Sequence, residues 1–276
     1  MCAPTIIQQA LAGISRRELL ALTAAGVTTP ALAAPPAKRS RRLLSGDTIV
    51  DMTHTLSSNF PIIPIPGLTF PFRQEPIATM EKNGVFANKW ELIEHNGTHI
   101  DAPSHFAIGQ PNLEAVPAST LIAPLAVIDI RAKAAKNHDA PLTPDDILAW
   151  EKRHGRLPQG VAVFMWSGWD ERAKNAKDFL NMDASQTMHF PGFTPETCEF
   201  LLRERKISGI GVDTISFDLG VDKEYTAHKA LFKGGKWGIE CVHNLALVPP
   251  KGATIFAGAL KVAGASGSPI RLLAMF

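Results

Sequence analysis

The sequence has few cysteines, no excess of either charge and no long apolar run. Its 276 residues include three cysteines, 28 basic residues and 26 acidic residues, and 45% of them are hydrophobic. The near balance of charge gives no reason to expect a nucleic-acid partner. The absence of a run of about 18 apolar residues excludes a membrane span in the mature chain, and the hydrophobic content excludes a disordered chain.

Several common catalytic and cofactor motifs are also missing. The sequence has no glycine-rich dinucleotide or phosphate-binding loop, no G-x-S-x-G nucleophile motif and no C-x-x-C pair. Cys198 and Cys241 are far apart in the chain. A disulfide between them and two unpaired thiols both remain open.

The first 33 residues have the features of an export signal. Arg16 and Arg17 precede an apolar stretch that carries no charge after Glu18 and ends in Ala31-Leu32-Ala33. This arrangement resembles a twin-arginine signal with an A-x-A cleavage site. The alternative is an amphipathic helix of the domain, which the prolines at its end disfavour. The sequence therefore predicts a signal peptide over 1–33, a linker over 34–46, a domain over 47–276 and a periplasmic mature protein.

Strand and helix patterns are intermixed along the rest of the chain. Apolar runs at 125–130 and 161–166 predict buried strands. Thr143-Pro144 and Thr194-Pro195 each predict a helix start with a threonine N-cap. Further strands are expected at 49–53, 90–95, 207–212, 239–247 and 254–259. Because strict βαβ alternation is absent, we expect a single α/β domain with a mixed β-sheet and flanking helices.

Residues 95–105 concentrate the candidate chemistry, with three histidines and one aspartate. The Asn-Gly pair after His95 favours a strand that ends at His95 and then turns, so that His95 returns toward His99 and Asp101. These last two share a face of extended chain. Two imidazoles and a carboxylate suit Zn²⁺ or Mn²⁺, which lowers the pKa of bound water to about 7. His105 then has the chemistry of a general acid or base.

The alternative for this segment is a set of histidines that cap turns, but their density favours a metal site. Two later residues are further candidate ligands. Glu240 is a carboxylate in an otherwise apolar predicted strand, where it must be a ligand or pair with a buried basic residue. His228 is the other candidate.

The histidine-rich segment reads His95-x-Gly97-Thr98-His99-x-Asp101-x-Pro103-x-His105-Phe106. It resembles the signature of the metal-dependent cyclase-family hydrolases, which include bacterial kynurenine formamidases and isatin hydrolases. The resemblance runs from about residue 49 to residue 249 and includes weaker motifs at 51–56, 191–194 and 209–218. It implies a swivelling-type α/β domain that forms homodimers or homotetramers and hydrolyses amide bonds in small cyclic or aromatic molecules.

The resemblance also implies roles for the candidate ligands. It assigns a first metal ion to His95, His99 and Asp101. It assigns a second ion, bridged by Asp101, to His228 and Glu240. Each chain would then hold one or two Zn or Mn ions.

The resemblance makes His105 the proton shuttle. Asp213 and Asp218 fall in the third motif, and we expect them to orient loops or ligands rather than to bind metal.

Two departures from the family pattern bear on the substrate. Ile65-Pro66-Gly67 stands where kynurenine formamidases place a tryptophan before Pro-Gly, which argues against N-formylkynurenine. In addition, a strand that commonly ends in Arg-Thr-Gly in this family ends here in Trp166-Ser167-Gly168-Trp169.

The sequence thus predicts an exported, metal-dependent amidohydrolase that acts on a small molecule through metal-activated water. Four aromatic residues are candidate pocket walls: Phe60, Phe86, Trp90 and Trp166. The alternatives are a lactone or ester hydrolase, a cyclase or dehydratase on the same scaffold, and a non-catalytic periplasmic metal- or ligand-binding protein. His105 distinguishes the last of these, because binding alone does not require a general base.

Overall fold

The computed structural model describes residues 48–276, so the predicted signal peptide and linker lie outside the described residues. The strands are β1 (Ile49–Asp51), β2 (Arg73–Ala78), β3 (Ala87–Glu91), β4 (His99–Asp101), β5 (Ile122–Asp129), β6 (Pro141–Leu142), β7 (Ala162–Trp166), β8 (Gly192–Phe193), β9 (Gly209–Val212), β10 (Trp237–Glu240), β11 (Lys251–Ala259) and β12 (Gly267–Met275). The helices are α1 (Met80–Asn83), α2 (Arg131–Ala134), α3 (Pro144–His154), α4 (Ala176–Leu180), α5 (Pro195–Glu204) and α6 (Thr226–Lys233). Within this part of the chain, no helix is long and apolar enough to cross a membrane.

Eight strands form one mixed sheet in the order β1-β12-β11-β5-β7-β9-β10-β4. The neighbours β5, β7, β9 and β10 run parallel, and antiparallel pairs complete the sheet. An additional antiparallel pairing of β12 with β4 closes the sheet into a barrel-like form. This architecture confirms the predicted α/β domain with a mixed sheet and flanking helices.

The two faces of the sheet bury different apolar clusters. Val127 and Phe164 belong to a cluster with β4, β10, β11 and β12. Their chain neighbours Ile128 and Val163 pack with residues of α3, α5 and α6. Successive side chains of a strand point to opposite faces, and both faces here are covered. The central strands therefore read as continuous apolar runs.

Both predicted helix starts are confirmed. The Thr194 hydroxyl accepts a hydrogen bond from the Thr197 amide at 3.2 Å at the start of α5. At the start of α3, the Asp146 carboxylate accepts a hydrogen bond from the Thr143 amide at 2.8 Å. These bonds satisfy backbone donors that have no partner within the first helical turn.

Two strand predictions were wrong about where the strand ends, and one strand was not predicted. β3 ends at Glu91, so no strand reaches His95, which lies in an irregular segment. β10 ends at Glu240 because Cys241 turns the chain with a φ of 54°. The sequence prediction omitted β12, although buried and more exposed residues partly alternate along it.

The close packing of β9 against β10 gives a testable prediction. A Cβ at Gly209 would lie 2.2 Å from the Trp237 ring and 2.5 Å from its carbonyl oxygen, whereas a Cβ at Gly258 meets no atom closer than 3.2 Å. We expect Gly209→Ala to lower the free energy of unfolding by about 3 kcal/mol, because the core cannot expand locally. Gly258→Ala is the matched control, and urea unfolding of both variants measures the difference. Equal stability of the two variants would contradict this packing argument.

Candidate metal centre

Strands β4 and β10 bring three of the predicted ligands together. The antiparallel register pairs Glu240 with His99, and Asp101 lies on the same face as His99. The Nε2 atom of His99 is 3.2 Å from Asp101 Oδ1 and 3.4 Å from Glu240 Oε2. All three side chains are buried. The carboxylate of Glu240 therefore faces histidine rather than a buried lysine or arginine.

The first turn of α6 adds His228 to the cluster. Its Nε2 atom lies 3.4 Å from Asp101 Oδ2 and 3.3 Å from Glu240 Oε1. The Nδ1 atom is hydrogen-bonded to the buried Asp218 carboxylate. The Phe217 ring stacks on the imidazole at a centroid distance of 3.6 Å. Asp218 thus orients His228 so that Nε2 faces the centre, a role consistent with the sequence prediction for this aspartate.

His95 and His105 complete the cluster from the other side. His95 Nδ1 lies 2.6 Å from Asp101 Oδ1. The His105 ring stacks on the His95 ring with centroids 3.8 Å apart. One ring nitrogen of His105 lies within 4.8 Å of ligand atoms of both His95 and Asp101. The fold therefore gathers all six predicted site residues at one point.

Glycines on both neighbouring strands make room for this gathering. Asp101 is paired with Gly238 of β10 and with Gly267 of β12. A Cβ at Gly238 would lie 2.4 Å from Phe217, and one at Gly267 would lie 2.5 Å from the His95 ring. The His95 ring therefore occupies the space that a side chain at position 267 would fill. The Phe217 ring, which stacks on His228, occupies the space beside position 238.

The electrostatics of the cluster favour positive charge beside the carboxylates. Burial lowers the pKa of His99, but Asp101 and Glu240 outweigh it and raise that pKa to about 9. Burial likewise opposes ionisation of Asp101, but His95 and His99 hold its pKa well below the ordinary value. For His105 burial dominates and lowers the pKa to about 3, against the attraction of Asp101.

The donor set fits a divalent metal ion. The Oδ2 atom of Asp101 is buried and has no hydrogen-bond partner among the described residues. His99 and His228 each engage their outer nitrogen, with the Gly97 carbonyl and with Asp218, and leave Nε2 facing the carboxylates. Histidine ligands are held in this way in metalloproteins. Two overlapping groups could hold an ion: His95, Asp101 and His105, and His99, Asp101 and Glu240.

A cavity of about 630 Å³ opens over the cluster. Its walls are mostly aliphatic, and they include Ile62, Ile63, Ile65, Leu68, Leu92, Ile93 and Ile215. The four aromatic walls predicted from the sequence were wrong. Phe86 and Trp90 are 64% and 65% exposed on the β2–β3 hairpin, and neither Phe60 nor Trp166 lines the cavity. Phe106 and Tyr225 are the aromatic residues in its lining.

A second histidine pair contacts the segment that carries the ligands. The His54 amide donates a hydrogen bond to Thr98 Oγ1 at 2.9 Å, and its ring stacks on His243 with centroids 4.2 Å apart. His243 Nδ1 lies 2.9 Å from the Asp170 carboxylate. Burial, reinforced by His243 and opposed by Asp170, lowers the pKa of His54 to about 4.

Neither the cysteines nor Asp213 belong to the cluster of candidate ligands. Cys198 and Cys241 are buried free thiols. The Asp213 carboxylate accepts hydrogen bonds from the amides of Ser167, Gly168 and Trp169 and so holds that turn.

Sequence reasoning missed Ser266, whose hydroxyl lies 2.9 Å from His95 Nε2. Since 171 positions separate the two residues, no local motif could have indicated this contact.

A buried group of imidazoles and carboxylates beneath an apolar cavity is the arrangement expected of a metal-dependent hydrolase. Comparisons with known proteins identify the family of hydrolases to which this chain belongs. Residues 50–219 match the family described as "Putative cyclase". The chain is 37% identical to an isatin hydrolase of Roseibium aggregatum over 249 residues, which are 85% of this chain and 94% of that protein.

Two further relatives support the same family assignment. A solved structure of isatin hydrolase A from Labrenzia aggregata, bound to benzyl benzoate, superposes with a TM-score of 0.78 and 39% identity, covering 83% of this chain and 93% of that one. A kynurenine formamidase of Bacillus cytotoxicus is 27% identical and covers 81% of this chain and 95% of its own length. The chain therefore belongs to the cyclase family and is a metal-dependent amidohydrolase, as the sequence resemblance predicted.

The lowered pKa of His54 predicts a specific loss of stability in acid. An unfolded histidine binds a proton near pH 6.5 and folded His54 only near pH 4, so the unfolded state gains protons first as the pH falls below 6.5. Between pH 7 and pH 5 this difference removes about 2 kcal/mol from the free energy of unfolding. His54→Phe keeps a ring against His243 but cannot titrate. Urea unfolding at both pH values should therefore show about 2 kcal/mol less acid sensitivity in the variant, and equal sensitivity would contradict the prediction.

Proposed function

We propose that this chain hydrolyses the C–N bond of a small cyclic or aromatic amide in the cavity above the metal centre. The observation that carries the proposal is the position of the polar cluster at the base of an aliphatic cavity. His95, His99, His105, His228 and Glu240 all contribute to the cavity lining. An apolar ring fits such walls, while its amide carbonyl reaches the polar base.

The two oxygens of Asp101 support a site for two ions. Oδ1 faces His95 and His99, whereas Oδ2 faces His228. Imidazole and carboxylate ligands are shared by Zn²⁺ and Mn²⁺, so we propose one or two ions of either metal. When bound, such an ion polarises the substrate carbonyl and makes water acidic near neutral pH.

His105 is placed to move the proton during hydrolysis. It lines the cavity and stacks on His95, which holds its ring beside the base of the cavity. In the proposed reaction its imidazole accepts a proton from the attacking water and then donates it to the leaving nitrogen. This second proton transfer is essential for an amide, because a nitrogen anion is a poor leaving group.

One residue of the cavity wall bears on the choice of substrate. Ile65 stands where kynurenine formamidases place a tryptophan before Pro-Gly, and it lines the cavity together with Leu92 and Ile93. We therefore propose an isatin-like cyclic amide ahead of a linear formamide. The greater similarity to the isatin hydrolase than to the kynurenine formamidase supports the same order.

A substrate screen tests this function. The purified protein, loaded with Zn²⁺ or Mn²⁺, is assayed with isatin, an aryl formamide and an aromatic lactone, each with and without chelator. We expect isatin to be hydrolysed fastest and the chelator to abolish turnover. Preference for the lactone would identify an ester hydrolase, and metal binding without any turnover would identify a binding protein.

Removal of individual ligands should remove the metal and the activity together. We expect His99→Ala and Asp101→Ala to lose bound metal, because each contributes a buried donor atom that no neighbour can replace. Elemental analysis of the purified variants measures metal content beside the rate of hydrolysis. Asp213→Asn is the control, since this carboxylate braces a turn away from the cluster. A full metal complement in the His99 or Asp101 variant would refute their assignment as ligands.

Removal of His105 should separate binding from catalysis. We expect His105→Gln to keep its metal and to lower kcat by roughly 10²–10⁴-fold, the usual contribution of a positioned acid–base group. Metal content and hydrolysis are measured on the same preparation. Loss of metal would make His105 a ligand, and unchanged kcat would assign the proton transfer to another group.

A further inference from the structure

His95 differs from His99 and His228, the other two predicted histidine ligands, in what holds its outer nitrogen. His99 is held by a backbone carbonyl, and His228 by a buried carboxylate. His95 Nε2 instead lies 2.9 Å from the hydroxyl of Ser266. That hydroxyl lies 2.6 Å from the Oε2 atom of Glu94, so a chain of hydrogen bonds connects the ring to a carboxylate.

The protons of this chain can be assigned from its partners. The Glu94 carboxylate can only accept hydrogen bonds, so the single hydroxyl proton of Ser266 is donated to Glu94. The hydroxyl oxygen must then accept from His95, which places a proton on Nε2. In the neutral ring Nδ1 is therefore left without a proton, although it faces the Asp101 carboxylate at 2.6 Å. A metal ion held by both groups would stabilise this arrangement.

Packing fixes where the His95 ring lies, but not which of its nitrogens carries the proton. The ring stacks on His105 and occupies the space that a side chain at position 267 would fill. These contacts are the same for both tautomers. Two contacts distinguish the nitrogens: Asp101 at Nδ1, and the hydrogen-bonded chain through Ser266 at Nε2.

We propose that Glu94 and Ser266 are positioning residues that hold His95 in the tautomer whose Nδ1 binds the metal ion. The carboxylate acts through the hydroxyl, as a carboxylate acts directly on a ligating histidine in many metal sites. This inference rests on the proposed metal centre. It adds two residues to the site, and one of them, Glu94, reaches the cavity with its side chain 44% exposed.

A purely structural role for Glu94 has to be distinguished from this one. Its Oε2 atom also accepts a hydrogen bond from the Ser266 amide at 2.9 Å and so braces the turn before β12. Glu114 braces the same turn by accepting from the Gly264 amide at 3.0 Å, without any contact to a histidine of the centre. Glu114→Gln is therefore a matched control for the bracing role.

The test measures the zinc affinity of the full protein by competition with a chromophoric chelator. Ser266→Ala removes the hydroxyl but leaves the backbone bond to Glu94, and we expect zinc affinity to fall by about 10–100-fold. Glu94→Gln removes the negative charge and should weaken zinc binding in the same direction. Ser266→Thr, which restores a hydroxyl, should recover most of the affinity, and Glu114→Gln should bind zinc like the unmodified protein.

Long-range ¹H–¹⁵N spectra of the zinc-loaded protein, with labelled histidine, supply a readout independent of affinity. We expect His95 to carry its proton on Nε2 and zinc on Nδ1. Zinc on Nε2, or zinc affinities of the Ser266→Ala and Glu94→Gln variants equal to that of Glu114→Gln, would overturn the inference while leaving the metal centre intact. Failure of the unmodified protein to bind zinc or manganese would overturn the proposed function instead.

Discussion

The centre depends on one buried carboxylate, that of Asp101, which faces three imidazoles with its two oxygens. A buried charge of this kind costs several kcal/mol unless opposite charge lies beside it. Protons on His99 and His228 supply that charge in the absence of a metal, as the raised pKa values of both residues indicate. A divalent ion would supply it more completely. The same electrostatic constraint therefore favours a divalent ion at this site, and it requires the surrounding side chains to be held close to the carboxylate.

That rigidity comes from the closure of the sheet. Strand β4 is only three residues long, yet it is paired on both sides, with β10 and with β12. Glycines at positions 238 and 267 flank Asp101 and admit the rings that surround it. A side chain at either position would exclude Phe217 or His95. Closure by β12 also brings Ser266 to His95. The arrangement of the ligands therefore depends on the closure of the barrel.

The division of the cavity into aliphatic walls and a polar base suits amide hydrolysis. Apolar walls lower the local dielectric constant, which strengthens the electrostatic interactions at the base of the cavity. His105 lies at the boundary between the walls and the base, where burial lowers the pKa of its ring. The substrate range thus depends on the walls, and the reaction depends on the base.

The sequence by itself determined the local chemistry of this protein. The spacing of His99 and Asp101 predicted a shared face, Thr143 and Thr194 predicted helix starts, and the 95–106 motif predicted the family, because each of these signals lies within a few neighbouring residues. Only the tertiary structure decided the long-range contacts: Glu240 beside His99, Asp218 on His228, Ser266 on His95, and the aliphatic cavity walls in place of the aromatic ones expected. A local pattern fixes backbone direction and side-chain face, but it cannot specify which distant strand becomes a neighbour. That choice is made by burial and strand pairing over the whole sheet, and β12, which the sequence prediction omitted, is the strand that completes it.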